Sequence, residues 1–160
     1  MPWYALQTHT TFEERVAARL ALDGVEHYWP SRQVKIKHAR RQETVLRALF
    51  PGYLFASLAD GHRLYAPHLI RVVGFGDHPV EIPDSEINSV RIMAASPAAE
   101  PCAFFTAGQP VYIRRGPLAG VYGVITRVKG VDRVVVSCNL IAQSVSAEVD
   151  ADWLELRKAA

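Results

Sequence analysis

The stretch RRGPLAGVYGVITRV, residues 114–128, joins two cations and three glycines to an alternating apolar run. A phosphate-binding P-loop needs G-x-x-x-x-G-K-[ST], and no lysine follows Gly120. A dinucleotide fingerprint needs G-x-G-x-x-G at the start of a helix, whereas this run continues in a strand pattern. We therefore expect a turn at Gly116–Pro117 and close strand contacts at Gly120 and Gly123, as in a small β-barrel.

Composition excludes several classes of protein. The chain has 160 residues and a net charge of +2, so only a local basic patch could indicate nucleic-acid binding. Cys102 and Cys138 lie far apart without a CxxC spacing, which predicts neither a disulfide framework nor a metal site. No cofactor is expected. The N-terminal residues MPWYALQT do not resemble a secretory signal, and no apolar run is long enough for a membrane span, so a cytoplasmic protein is expected.

Residues 1–95 mix helix and strand patterns. WYALQT predicts a buried strand, and FEERVAARL predicts a helix that Thr10 or Thr11 caps. The segment RQVKIKHARRQE predicts a strand that runs into an extended loop. GYLFASL predicts a strand with apolar residues on both faces, and a second helix is expected from about Asp84, with Ile87 and Val90 in its apolar stripe.

The rest of the chain has a different pattern. SPAAEPCAFFTAG is rich in small residues and proline, which indicates a linker. After it, short period-2 segments separated by glycines predict a small β-barrel. The sequence alone therefore predicts an α/β region of roughly 95 residues, a linker and a barrel of roughly 55 residues.

Several separated motifs carry a family resemblance. GQPVYIRRGPLAGVYGVITRV resembles a KOW motif. WYALQTHTTFEERVAARL, LFPGYLF and VVGFG precede it in the order found in the NusG family of transcription elongation factors, and the chain looks most like the specialised paralogues, RfaH and the UpxY-like antiterminators. The resemblance implies an α+β fold. An NGN domain (antiparallel β-sheet flanked by α-helices; residues 1–95) and a linker (96–107) would precede a small SH3-like KOW β-barrel (108–158).

The resemblance also implies binding residues for RNA polymerase and DNA. The NGN domain would bind the clamp helices of the largest catalytic subunit, although aromatic residues at strand spacing are more often core. The first helix would contact the non-template DNA strand, and a flexible basic hairpin would contact DNA or the polymerase, although such charged faces are often only solvated. The implied polymerase-binding residues are Tyr4, Phe50, Pro51, Tyr53 and Phe55, and the implied DNA-binding residues are His9, Arg15, Arg19, Lys35, Lys37, Arg40 and Arg41.

The barrel would bind a small-subunit ribosomal protein through Leu140 and Ile141, which could equally be barrel core. The valine-rich, glycine-containing barrel sequence disfavours refolding into helices. The motif His9–Thr11 resembles a polymerase-binding His-Thr-Thr motif, but it stands at a different place, so that role is not transferred.

The resemblance implies a monomeric, non-enzymatic antitermination factor that suppresses pausing and termination at specific operons. A housekeeping NusG-like role in elongation and Rho-dependent termination is the first alternative. A translation-linked KOW RNA-binding protein is the second. An enzyme is disfavoured, because the histidines and carboxylates form no HExxH, GxSxG or comparable motif.

Overall fold

The computed structural model describes residues 1–59, 64–105 and 107–157. An N-terminal sheet has β1 at its centre, because this strand is buried on both faces and pairs antiparallel on both edges. The strand order is β2–β5–β1–β6, with β9 also beside β1. The strands of this sheet are β1 (Trp3–Thr8), β2 (His27–Tyr28), β5 (Tyr53–Ser57), β6 (Leu69–Val72) and β9 (Glu81–Ile82).

Helices α1 (Glu13–Leu22) and α2 (Asp84–Ala94) cover opposite faces of the N-terminal sheet. Val16 and Leu20 of α1 share a buried cluster with Leu54. The next residue of β5, Phe55, belongs instead to the cluster that contains Ile87 of α2. The prediction that both faces of this strand are apolar is therefore confirmed, and burial of each such side chain stabilises the fold by about 1.5–3 kcal/mol.

The ends of α1 match the sequence expectation only in part. Phe12 occupies the N-cap position and no side chain caps the helix, so the prediction of a Thr10 or Thr11 cap is wrong. Thr11 instead has a positive φ of 73°, which turns the chain before the helix begins. At the other end, Gly24 follows the C-cap residue Asp23 with a φ of 71°, the conformation that glycine adopts easily.

Two antiparallel hairpins extend from the N-terminal sheet. The segment expected to be an extended loop contains a second strand, because residues 42–48 pair along the whole of the preceding strand. We call this pair the basic hairpin. It consists of β3 (Ser31–Lys37) and β4 (Gln42–Ala48), and the shorter hairpin consists of β7 (Gly74–Phe75) and β8 (His78–Pro79).

A six-stranded antiparallel C-terminal sheet follows, with the order β10–β14–β13–β12–β11–β15 in the described part of the chain. Its first strand lies inside the expected linker, so residues 96–107 are not all irregular. A Cβ on Gly123 would lie 2.5 Å from the carbonyl oxygen of Val135, which confirms the expected close strand contact. The strands are β10 (Glu100–Cys102), β11 (Gln109–Ile113), β12 (Tyr122–Val128), β13 (Val131–Cys138), β14 (Gln143–Glu148) and β15 (Leu154–Leu156).

Helix α2 joins the two sheets. One buried cluster continues from Phe55 through Val90 and Met93 of the helix to Val136 in the C-terminal sheet. A Cβ on Gly120 would lie 3.0 Å from Cδ1 of Ile92, so the glycine allows the helix to approach closely. The α+β class with a β-rich C-terminal part is confirmed, and α2 lies between its two halves.

Candidate protein and nucleic-acid interface

The turn before β5 is fixed to both β1 and α1. The Gly52 carbonyl accepts the Thr8 N–H at 2.8 Å, and the Gly52 N–H donates to Oε1 of Glu13 at 2.7 Å. Gly52 has a φ of 86°, which favours glycine at this turn. The side chain of Glu13 is 4% exposed, so α1 carries a buried carboxylate that holds the turn in place.

The five polymerase-binding candidates, which lie in or near this turn, differ in their exposure to solvent. Tyr4, Phe50 and Phe55 are 4%, 0% and 0% exposed, so in this arrangement these three implied polymerase-binding residues belong to the core. The rings of Phe50 and Phe55 pack edge to face at 6.1 Å, as core aromatics do. Pro51 is exposed and Tyr53 is half-buried against the core, so these two side chains are the ones at the turn that a partner could contact.

The DNA-binding candidates near α1 lie on the surface. His9, Arg15 and Arg19 are all exposed. Arg19 forms an ion pair with Asp23 at 3.1 Å, one helical turn later, and both partners are well exposed. Such a pair contributes only about 0.3–0.5 kcal/mol, so it leaves the guanidinium available for a phosphate.

Two residues that the sequence analysis missed lie beside these cations. The rings of Phe12 and His68 stack at 4.0 Å with an interplanar angle of 17°, and the Arg15 guanidinium lies 4.9 Å from the Phe12 ring centre. The rings of His9 and His68 pack edge to face with 6.3 Å between their centres. The backbone N–H of His9 also donates to the backbone carbonyl of His68 at 3.0 Å. The sequence gives no signal for this stack, because the histidine is far from α1 in the chain and has an unusual φ of 68°.

The basic hairpin carries the remaining DNA-binding candidates, Lys35, Lys37, Arg40 and Arg41, all of them exposed. At its base, Arg32 lies directly opposite Arg47 across the strand pair. Like charges in this position destabilise a hairpin, so an anionic partner would stabilise it. His38 contacts Glu43 at 3.1 Å near the tip, and this acidic residue offsets part of the positive charge.

The ribosomal-protein candidates lie where the C-terminal sheet meets α2. Ile141 is buried and Leu140 is half-buried, both against the cluster that includes α2. The Glu86 carboxyl accepts hydrogen bonds from the Cys138 thiol and the Asn139 N–H, and Ser89 Oγ accepts the Tyr122 N–H at 3.1 Å. Burial raises the pKa of the Cys138 thiol, and the neighbouring Glu86 carboxyl raises it further.

The described residues contain no cluster of three or more potential metal ligands. Among the described helices, none is both long enough and apolar enough to cross a membrane.

Comparison with known proteins places this arrangement in a family. Residues 1–91 match the family described as "Transcription termination factor nusG". The chain belongs to the NusG family. Members of this family are non-enzymatic transcription factors that act with RNA polymerase, and this class of function therefore applies to the chain.

Curated NusG-family relatives match the chain along most of its length. The transcription termination/antitermination protein NusG of Vibrio vulnificus (strain CMCP6) is 28% identical over 173 residues, covering 96% of this chain and 94% of the relative. The protein with the same description from Escherichia coli (strain K12) is 28% identical over 174 residues, with the same two coverages. The match therefore includes the C-terminal sheet as well as the region recognised as the family domain.

Proposed function

We propose that this NusG-family chain is an operon-specific elongation and antitermination factor that binds the clamp of RNA polymerase through the turn at Pro51 and Tyr53. The supporting observation is the contact between Glu13 and the Gly52 N–H, which joins this turn rigidly to the helix that carries Arg15 and Arg19. One rigid unit can then contact polymerase and DNA together. The protein would reduce pausing by binding the closed clamp more tightly than the open clamp.

The non-template DNA strand is the proposed ligand of the α1 face. A single strand is bound by cations along its backbone and by aromatic groups that stack on its bases. His9, His68 and Phe12 supply rings, and Arg15 and Arg19 supply cations beside them. The basic hairpin, with its exposed lysines and arginines, is proposed to contact DNA next to this site.

A small-subunit ribosomal protein is the proposed partner of the C-terminal sheet. Leu140 and Ile141 pack against the cluster that α2 helps to form, so this binding would require the sheet to move away from the helix. The proposed division into an NGN domain (1–95), a linker (96–107) and a KOW domain (108–158) permits such a movement. A cytoplasmic location is proposed with this function.

The test of polymerase binding uses a reconstituted elongation complex. We expect Tyr53→Ala to weaken binding of the full chain about tenfold or more, as truncation of an interface aromatic does. Tyr65→Ala is the matched control, because Tyr65 is 85% exposed but lies away from the turn in the chain. Equal binding by wild type and Tyr53→Ala would contradict the proposed contact.

A pause assay then tests the consequence of binding. Saturating wild-type protein is expected to shorten the lifetime of a defined pause, while Tyr53→Ala at the same concentration leaves it unchanged. If the wild-type protein binds the complex but pause lifetimes stay constant, the antipausing mechanism is wrong even though the partner is right.

A housekeeping role is the second candidate, because the relatives that cover the chain are described as termination/antitermination proteins. Termination at a Rho-dependent site separates the two functions. The operon-specific role predicts no increase in termination on adding the protein to polymerase and Rho. An increase that Tyr53→Ala abolishes would favour the housekeeping role.

A further inference from the structure

A groove of about 500 Å³ lies between the basic hairpin and the end of α2, and it has no role in the proposed function. We call it the hairpin groove. One wall consists of residues of β3 and β4, and the other consists of residues 94–97, which are the last residue of α2 and the three that follow it. The volume is within the range of about 300–1,000 Å³ that is usual for ligand pockets.

The hairpin wall is one face of the strand pair. Gln33 lies directly opposite Leu46, and Lys35 lies directly opposite Thr44, so these four side chains share a face. All four line the groove. Leu46 is 44% exposed although it is large and apolar. This wall therefore combines an exposed apolar side chain with a cation and two hydrogen-bonding groups.

The cations of the hairpin groove have no counter-ions. Arg32 and Lys35 line the groove, and neither forms an ion pair within the described part of the chain. Among the described residues that line it, none is acidic. Glu43 and Glu100, which belong to neighbouring strands, are each paired with another residue. The groove therefore suits a ligand with negative charge.

Arg32 also has incomplete hydrogen bonding. Its Nη1 donates to the Ala99 carbonyl over a long distance of 3.5 Å, and its Nε is buried without an acceptor. Buried donors without a partner are few in native proteins. Arg47, directly opposite across the strand pair, adds a like charge. A carboxylate bound in the groove would offset this charge and accept charge-assisted hydrogen bonds from the Arg32 guanidinium.

The wall formed by the end of α2 offers acceptors instead. The end of a helix leaves its last carbonyls without partners inside the helix. The N–H groups of Ala95 and Ser96 return to Arg91 and Met93, so the carbonyls of Ala94 and Ala95 accept no backbone hydrogen bond from the described residues. A matching ligand has N–H donors as well as negative charge. A peptide has both, whereas the sugar–phosphate backbone of DNA supplies no donor.

We propose that the hairpin groove binds an extended acidic segment of a protein partner. Arg32 and Lys35 hold its carboxylates, Leu46 packs against an apolar side chain, and its backbone N–H groups donate to the carbonyls at the end of α2. Among the described residues that line the groove, none is aromatic, whereas sites for single-stranded nucleic acid stack bases on aromatic rings. Arg40 and Arg41 do not line the groove, so DNA contact by the hairpin tip is compatible with this binding.

The test measures fluorescence anisotropy of the labelled peptide GELEGELEG with the full chain and without polymerase. The matched peptide GQLQGQLQG keeps the length, the leucines and the N–H groups but has no carboxylate side chains, and it is expected to bind about tenfold more weakly or worse. Arg32→Ala is expected to weaken binding of the acidic peptide about fivefold or more, because it removes charge-assisted hydrogen bonds. Lys35→Ala should weaken it about two- to fivefold, since this ammonium is exposed.

Lys129→Ala is the matched control, because Lys129 is an exposed cation of the C-terminal part that does not line the groove. It is expected to bind the acidic peptide within about twofold of wild type. Equal binding of the two peptides would overturn the proposal. So would equal weakening by Lys129→Ala and Arg32→Ala, since binding would then depend only on overall charge.

Single-stranded DNA of eight nucleotides separates the hairpin groove from the hairpin tip. At equal concentration it is expected to leave the peptide bound, and its own binding should depend on Arg40 and Arg41 rather than on Arg32. DNA that displaces the peptide and depends on Arg32 would overturn the choice of a protein ligand. Urea unfolding checks the fold of each variant. If Arg32→Ala unfolds, the results for Arg32→Gln and Lys35→Ala decide in its place.

This assay and the polymerase test fail independently. Polymerase is absent from the peptide assay, and Tyr53 does not line the groove. Peptide binding that depends on Arg32 would stand even if Tyr53→Ala bound polymerase normally, and failure of peptide binding leaves the Tyr53 result untouched.

Discussion

Helices α1 and α2 have similar lengths but different surroundings. α1 packs on the N-terminal sheet through Val16 and Leu20, and its opposite face, with Arg15 and Arg19, lies in solvent. α2 packs on the same sheet through Ile87, yet its opposite side contacts the C-terminal sheet. The difference teaches that one amphipathic pattern can produce either a free binding face or an internal joint, depending on what lies beyond the helix.

The largest expected effect is at the joint. Met93 of α2 is 0% exposed, and Met93→Ala is expected to lower the free energy of unfolding by about 2–5 kcal/mol, because it leaves a cavity. Leu22→Ala in α1 is the control, since Leu22 is 84% exposed and its change is expected to stay within about 0.5 kcal/mol. Urea unfolding measures both, and equal effects would contradict the buried position of Met93 at the joint.

A smaller loss of unfolding free energy is expected on removal of the buried hydrogen bond between Glu13 of α1 and the Gly52 N–H. Glu13→Ala leaves the Gly52 N–H without its acceptor and is expected to cost about 1–3 kcal/mol of unfolding free energy. Glu13→Gln retains an amide oxygen, so it should recover most of that loss. Thermal and urea unfolding of the pair measure the contact. A glutamine variant as unstable as the alanine variant would argue against a hydrogen bond at this position.

A still smaller effect on the free energy of unfolding is expected from the titration of Glu86 on α2. Burial raises the pKa of Glu86 above the ordinary 4.5, although the hydrogen bonds from Cys138 and Asn139 lower it in part. Because the pKa of Glu86 is higher in the folded state, protonation of this carboxyl adds to the free energy of unfolding. That contribution is complete below the unfolded-state pKa and is lost as pH rises through the folded-state pKa. Glu86→Gln should therefore flatten the fall in stability above about pH 4.5 in urea unfolding at several pH values. An unchanged pH profile would contradict a titrating group at this interface.

The smallest effect is expected on the free face of α1. Arg19→Ala removes the exposed ion pair with Asp23 and should change the free energy of unfolding by no more than about 0.5 kcal/mol. The same variant is expected to weaken binding of single-stranded DNA measurably. A large loss of stability with unchanged DNA binding would make this face structural, like that of α2.

Much of the fold could be predicted from short-range pattern. The alternation in LFAS placed Leu54 and Phe55 on opposite buried faces, and the spacing of Ile87 and Val90 located α2. Glycine positions predicted the close strand contact at Gly123. These features succeed because side-chain direction repeats every 2 residues in a strand and about every 3.6 in a helix. The residue pattern missed β10 and the second strand of the basic hairpin, which only the family resemblance implied, since both segments are polar or rich in proline and depend on pairing.

The site residues were predicted less completely for the same reason. The LFPGYLF motif located the turn, but an aromatic residue has the same letter whether it is core, as Phe50 is, or at the surface, as Tyr53 partly is. The stack of Phe12 on His68 joins segments that are distant in the chain, so no local pattern could indicate it.

By itself, the sequence determined the family, the α+β class, the order of the main elements and the positions of the basic residues, because each depends on residue type and local spacing. Only the tertiary structure decided which face of each helix is free, which aromatic residues are exposed and which groups meet across long separations. The contacts of Glu13 with Gly52, Glu86 with Cys138 and Arg157 with Tyr122 belong to this second class. Burial and contact are properties of the packed chain, and the same polar or aromatic residue serves either role until its neighbours are in place.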